Sequence, residues 1–151
     1  MSETTHVPCP HCTARNDVSR DLLSNQPSCA SCAQALFEGK PIELDTPRFD
    51  AIALRGDLPV LVHFWAAWSG TSLMLNKWPM MSASQKWEPR MRFAKVNGEA
   101  HPDLVKRYGI PLLPGLYTFH RGQVVQHVHE RMTPISGQML DRMIWYALNR
   151  L

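Results

Sequence analysis

No cysteine follows Cys32. All four cysteines of the 151-residue chain stand at positions 9, 12, 29 and 32, so no disulfide framework can staple the long remainder, which must be held by an apolar core. Long apolar runs are missing too: none approaches the roughly 20 residues needed to span a bilayer, which argues against a membrane partner. Charge of one sign is not in excess. Sixteen Lys and Arg stand against 13 Asp and Glu, a net +3. The first twelve residues hold no Lys or Arg. Both facts argue against nucleic acid as a partner. Residues 1–7 also lack the basic start and apolar stretch of a secretory signal. The expectation is therefore a cytoplasmic protein, in a reducing setting where paired cysteines act as metal ligands or redox groups rather than as staples. What is present is a hydrophobic share of 44% with five tryptophans, enough for one ordinary domain plus a small appendage.

The cysteines follow the pattern C-x2-C-x16-C-x2-C. Each C-x-x-C can form a tight knuckle with both thiolates facing one point, and two knuckles complete a sulfur tetrahedron suited to one structural Zn2+ held by Cys9, Cys12, Cys29 and Cys32. A segment of about 35 residues buries too little apolar surface to fold alone, so metal must supply much of its stability. Residues 1–38 are thus expected to be a zinc ribbon. Four thiolates leave no open position for water, so the metal is not catalytic. Docking remains, or redox sensing by thiolate oxidation and metal loss. The competing reading is two reversible disulfides or a C-x-x-C redox pair, and neither pair precedes an amphipathic helix that would support it. His11, between two ligands, and His6 read as ordinary knuckle and surface residues. Gly39 and Pro41 within Phe37-Glu38-Gly39-Lys40-Pro41 mark a hinge.

Residues 39–46 read as linker and first strand, and 47–151 as the larger domain. Thr46-Pro47 is an N-cap followed by proline, predicting a helix from Pro47 to about Arg55. Pro59 to Trp65 is an apolar, β-branched run of strand length, expected at the sheet centre. Ser69 caps a predicted helix through Leu73, Met74 and Trp78, which Pro79 should kink or end. Met91–Val96 is a second strand and His101–Tyr108 a short helix. Leu116–Phe119 and Val124–Val128 flank Arg121-Gly122-Gln123 as a hairpin. Gly137–Arg150 is amphipathic, with Met139, Leu140, Met143, Ile144 and Ala147 on one face. The fold class is α/β, a mixed sheet flanked by helices.

The strand PVLVHFWAAW, the later AKVNGEAHPDLVKRYGI, Pro114 and LYTFHRGQVV resemble successive landmarks of the thioredoxin family, and with the preceding cysteine ribbon the chain is similar to zinc-ribbon thioredoxins of the thioredoxin 2 type. The resemblance implies a thioredoxin fold and, by family, protein-disulfide reductase chemistry. It breaks at the motif W-C-G-P-C, matched here by Trp68-Ser69-Gly70-Thr71-Ser72. A hydroxyl is too weak an acid to replace a thiolate poised at a helix N-terminus, and it forms no disulfide. No catalytic residue is therefore expected at the degenerate site of Ser69, Ser72 and His63. The family's buried carboxylate is matched by His63, its cis-proline by Pro114 (preceded by Leu113), a nearby lysine by Lys95, and a groove glycine by Glu130.

Several side chains have a plain and a sharper reading. His63 is a buried, hydrogen-bonded core histidine, or the base of a Ser72–His63 dyad. His127 and His129 share one strand face and are exposed sheet histidines, or a second metal pair. Lys95 lies at the core edge with its stem buried. Met74, Trp78, Met80, Met81 and Trp87 are mostly core, with a few left to widen an apolar surface. The function expected from these residues is non-covalent: a groove of Trp68, Ser69, Gly70, Thr71, Leu113 and Pro114 that holds a protein or an extended peptide, as an adaptor or chaperone-like module. The alternative is disulfide exchange through the ribbon thiols.

Overall fold

Two short antiparallel strands, β1 (Thr4–His6) and β2 (Asp17–Ser19), open the chain in a computed structural model that describes residues 3–129 and 135–151. A single 3-10 turn, Arg20–Leu22, follows. The two C-x-x-C segments fold as matched knuckles. Cys9 N donates to Ala14 O and Cys29 N to Gln34 O, while Thr13 N and Ala33 N close back on Cys9 O and Cys29 O. Thr13 and Ala33 take φ of 63° and 66° to make these closures. Val7, Cys9, Cys29 and Leu36 are buried together, with Phe37 and Leu58 packed against them.

The larger unit is a five-stranded mixed sheet in the order β3-β5-β4-β6-β7, where β3 is Ile42–Glu43, β4 Val60–Trp65, β5 Arg92–Asn97, β6 Gly115–His120 and β7 Gln123–His129. The central β4 runs parallel to β5 and antiparallel to β6. Its alternation loads both faces. Val60, Val62 and Phe64 meet Phe49 and Ile52 of α1 (Thr46–Arg55) and Leu104 of α4 (Pro102–Arg107). Leu61 meets Leu75 of α2 (Gly70–Asn76), Met80 of α3 (Trp78–Trp87), and Leu140 and Ile144 of α5 (Gly137–Arg150). α5 has the predicted span, and four of its five predicted apolar positions are buried, Met139 partly so.

Two local expectations need correction. The N-cap of α1 is Asp45, whose carboxylate accepts from Arg48 N at 2.9 Å. Thr46 is already helical and its hydroxyl donates to Asp103 at 2.7 Å. The helix after Ser69 does not run to Trp78: α2 stops at Asn76, Lys77 leaves helical geometry, and α3 restarts with Pro79 in its first turn. A proline there needs no N–H partner, which makes a restart less costly than a continuous helix. Glu130 lies outside the described residues.

Candidate functional site

The four ribbon cysteines converge. Their sulfurs all lie within 4.8 Å of one another, with Cys9–Cys32 and Cys12–Cys29 at 3.6 Å. Sulfurs about 2.3 Å from a tetrahedral Zn2+ stand about 3.8 Å apart. Donors surround two of the four sulfurs, those of Cys9 and Cys29. His11 N and Cys12 N point at Cys9 Sγ, and Ser31 N points at Cys29 Sγ. Asn16 Nδ2 donates to Cys29 Sγ at 3.4 Å, a bond that leads in lowering the Cys29 thiol to about 6, whereas, against backbone hydrogen bonding from Gln34, burial and the neighbouring thiols push the Cys32 thiol up to about 12, and Cys12 is also raised. The four cysteines are therefore positioned to bind a metal ion. His11 stays outside this set, exposed and paired with Glu38 at 2.6 Å.

The second cluster lies where β4 ends. Ser69 is the N-cap of α2, its Oγ accepting from Ser72 N at 3.2 Å. Ser72 is fully buried, and its Oγ accepts from Ala66 N at 3.1 Å. Both hydroxyls thus brace the turn that joins β4 to α2. His63 is fully buried, but its Nδ1 meets Asn76 Oδ1 at 2.9 Å, not Ser72, and Nε2 has no partner among the described residues. The dyad is not formed. Burial lowers the His63 pKa to about 4, against the raising effect of Asn76 and with a further lowering from Lys95.

β6 begins at Gly115 opposite Phe64, which sets Pro114 beside the segment leading to Trp68, Gly70 and Thr71. The Leu113–Pro114 bond is cis, and Pro114 is buried. Gly98 fixes this approach: its N–H donates to Trp65 O at 2.8 Å, and a Cβ there would lie 2.6 Å from Leu113 Cδ1. Glu99 accepts from Ala67 N at 3.0 Å. Several apolar side chains of this stretch are exposed: Trp68 is 64% and Trp78 67% exposed, and Leu73 and Met74 are open to a lesser degree. Met74 and Trp78 therefore leave the core set, which keeps Met80, with Met81 and Trp87 half-buried. His127 is exposed but His129 is buried, their rings 6.3 Å apart. Lys95 lies 3.6 Å from Glu43. Asn76 and Gly98 were not singled out from sequence. The one signal for Asn76 was a polar residue four positions after Ser72, on the inward face of α2.

The thioredoxin profile matches residues 40–139. The chain belongs to the thioredoxin family. Thioredoxin C-3 of Corynebacterium nephridii is 31% identical over 139 residues, covering 91% of this chain and 94% of that protein, so that likeness reaches into the cysteine ribbon. Thioredoxin 1 of Nostoc is 37% identical over 81 residues, covering 53% of this chain and 74% of its own. The crystal structure of Malassezia sympodialis thioredoxin superposes with a TM-score of 0.61 at 20% identity, over 70% of this chain and 89% of that one, a likeness of fold. Among the described residues of this thioredoxin-family chain, no helix is long and apolar enough to cross a membrane.

Proposed function

We propose that this is a redox-inactive member of the family, of the zinc-ribbon thioredoxin 2 type, that holds a protein or an extended peptide without covalent chemistry. One observation carries the reading. By the motif resemblance Ser69 and Ser72 take the places of the family's cysteines, and both hydroxyls are engaged as acceptors in bracing the β4–α2 turn. Close to them in sequence, Trp68, Leu73, Met74 and Trp78 stay exposed. Trp68, Ser69, Gly70, Thr71, Leu113 and Pro114 would line the groove. Backbone groups of the groove would align the peptide, and the apolar side chains would bury against its side chains. The ribbon would carry one structural Zn2+ on Cys9, Cys12, Cys29 and Cys32. The metal would order the ribbon without taking part in a reaction, because four thiolates fill its shell.

A second reading has its own support: family membership together with four free thiols in mutual contact. Disulfide exchange would then run through the ribbon after metal loss. An insulin-reduction assay on metal-loaded and metal-free protein separates the two. The proposal expects no turnover above the uncatalysed rate in either form. Turnover in the metal-free form alone would favour the ribbon thiols, and turnover in both would end the redox-inactive reading.

A further inference from the structure

Arg92 is fully buried at the start of β5, yet no carboxylate among the described residues lies within ion-pair distance of it. Its two terminal nitrogens instead reach into the ribbon, one to each half. Nη1 donates to Pro8 O at 2.7 Å, next to Cys9, and Nη2 donates to Leu36 O at 3.1 Å, four residues past Cys32. The guanidinium also lies 5.5 Å from the Phe37 ring. Burying an arginine on carbonyl acceptors alone is expensive unless an opposite charge stands close by. Four thiolates and one divalent cation leave a net of two negative charges on the ribbon centre. The ribbon's own arginines do not offset it from inside: Arg15 and Arg20 are exposed and paired with Asp17 and Glu3. Burial lowers the Arg92 pKa to about 10, so it stays a cation near neutrality, with Glu88 and Cys9 acting to raise it.

We propose that Arg92 of the thioredoxin domain is the charge-balancing and positioning residue of the ribbon's four-thiolate metal centre. It locks both knuckles to β5, so that metal occupancy and the attachment of the ribbon form one coupled equilibrium. This rests on the zinc reading above. Coupling of this kind is reciprocal: if the domain tightens metal binding, metal tightens the domain's hold on the ribbon by the same factor. Residues around metal ligands commonly change affinity 10–100-fold when removed.

The test compares Zn2+ affinity, by competition with a chromophoric chelator, in the full chain and in Arg92→Lys and Arg92→Met. Arg92→Met should bind Zn2+ about 10–100-fold more weakly. Arg92→Lys keeps the charge but lacks the two-pronged reach, and should fall between. Affinities within twofold of wild type for both variants overturn the proposal while leaving the zinc reading standing. A wild-type chain that takes up no Zn2+ overturns both. If Arg92→Met fails to fold, amide exchange in the wild type decides. Removing Zn2+ should speed exchange at Asp57, whose N–H donates to His6 O, and at Arg92, whose N–H donates to Pro59 O, while Phe64 in mid-sheet stays protected. Unchanged exchange at Asp57 and Arg92 overturns the proposal.

Discussion

His63 shows how one side chain can be readable in placement and unreadable in chemistry. The apolar run around it predicts burial, and it is buried. Its partner, Asn76, comes from a helix that only the fold brings near. Burial is the main reason the His63 pKa falls to about 4 from an ordinary value near 6.5. The native state then binds fewer protons than the unfolded chain between about pH 6.5 and 4, so stability falls as pH drops through that window. The loss amounts to about 3 kcal/mol. Replacing His63 with glutamine should flatten a denaturant-midpoint titration between pH 6.5 and 4; an unchanged slope would mean the imidazole is protonated in the fold. Ser69 gives a simpler case. As the N-cap of α2, it should cost about 1 kcal/mol when changed to alanine, measurable as a shift in urea midpoint.

At the level of elements, periodic segments were legible and junctions were not. α5 announced itself by its apolar spacing, and β4 by a β-branched run bounded by a proline. The break between α2 and α3 was placed too late, because proline signals a helix boundary without fixing which residue absorbs it. Here Lys77 does, with φ −80° and ψ −116°. The Thr46 cap was misplaced by one residue because Asp45 offers a competing acceptor, and Thr46 is drawn to Asp103 across 57 positions. The convergence of the four cysteines was legible, since the two C-x-x-C pairs announce it locally. The Leu113–Pro114 loop was legible as a motif, but not its seat on Gly98. Adding one methyl at Gly98 brings it within 2.6 Å of Leu113. Gly98→Ala should push the Leu113 side chain, which lines the Pro114 loop, into another rotamer and cost about 1 kcal/mol. Amide shifts at Leu113 and Gly115 in an NMR spectrum would report it, and an unperturbed loop would show that Leu113 moves aside freely.

Across the whole molecule, the cysteine ribbon and the proposed groove sit at opposite ends of β4. His6 and Asp57 exchange hydrogen bonds just before that strand, while Ser69 and Trp68 follow it. The six residues between span about 20 Å. If the proposed groove and the ribbon both bind, they do so from separated places on one frame, an arrangement suited to avidity from two weak contacts. The join between them carries its own titrating group. Glu88 accepts from Gly39 N at 3.0 Å, and burial pushes its pKa up to about 7. Its native carboxyl holds a proton that the unfolded chain releases near pH 4.5, so its contribution weakens as pH rises from about 4.5 through 7. That direction opposes His63. A glutamine at position 88 should remove it, leaving a steeper rise of stability with pH over the same range in thermal scans.

The central claim is that the groove works without sulfur. It is tested most directly by affinity capture from native lysate without reductant, comparing wild type with Trp68→Asp. A partner retained by wild type, released without a thiol reagent and lost with Trp68→Asp in a chain that still melts normally, is the predicted result. A partner that comes off wild type only when a reductant is added would contradict it, because that bond would be a disulfide and the ribbon thiols would be its source.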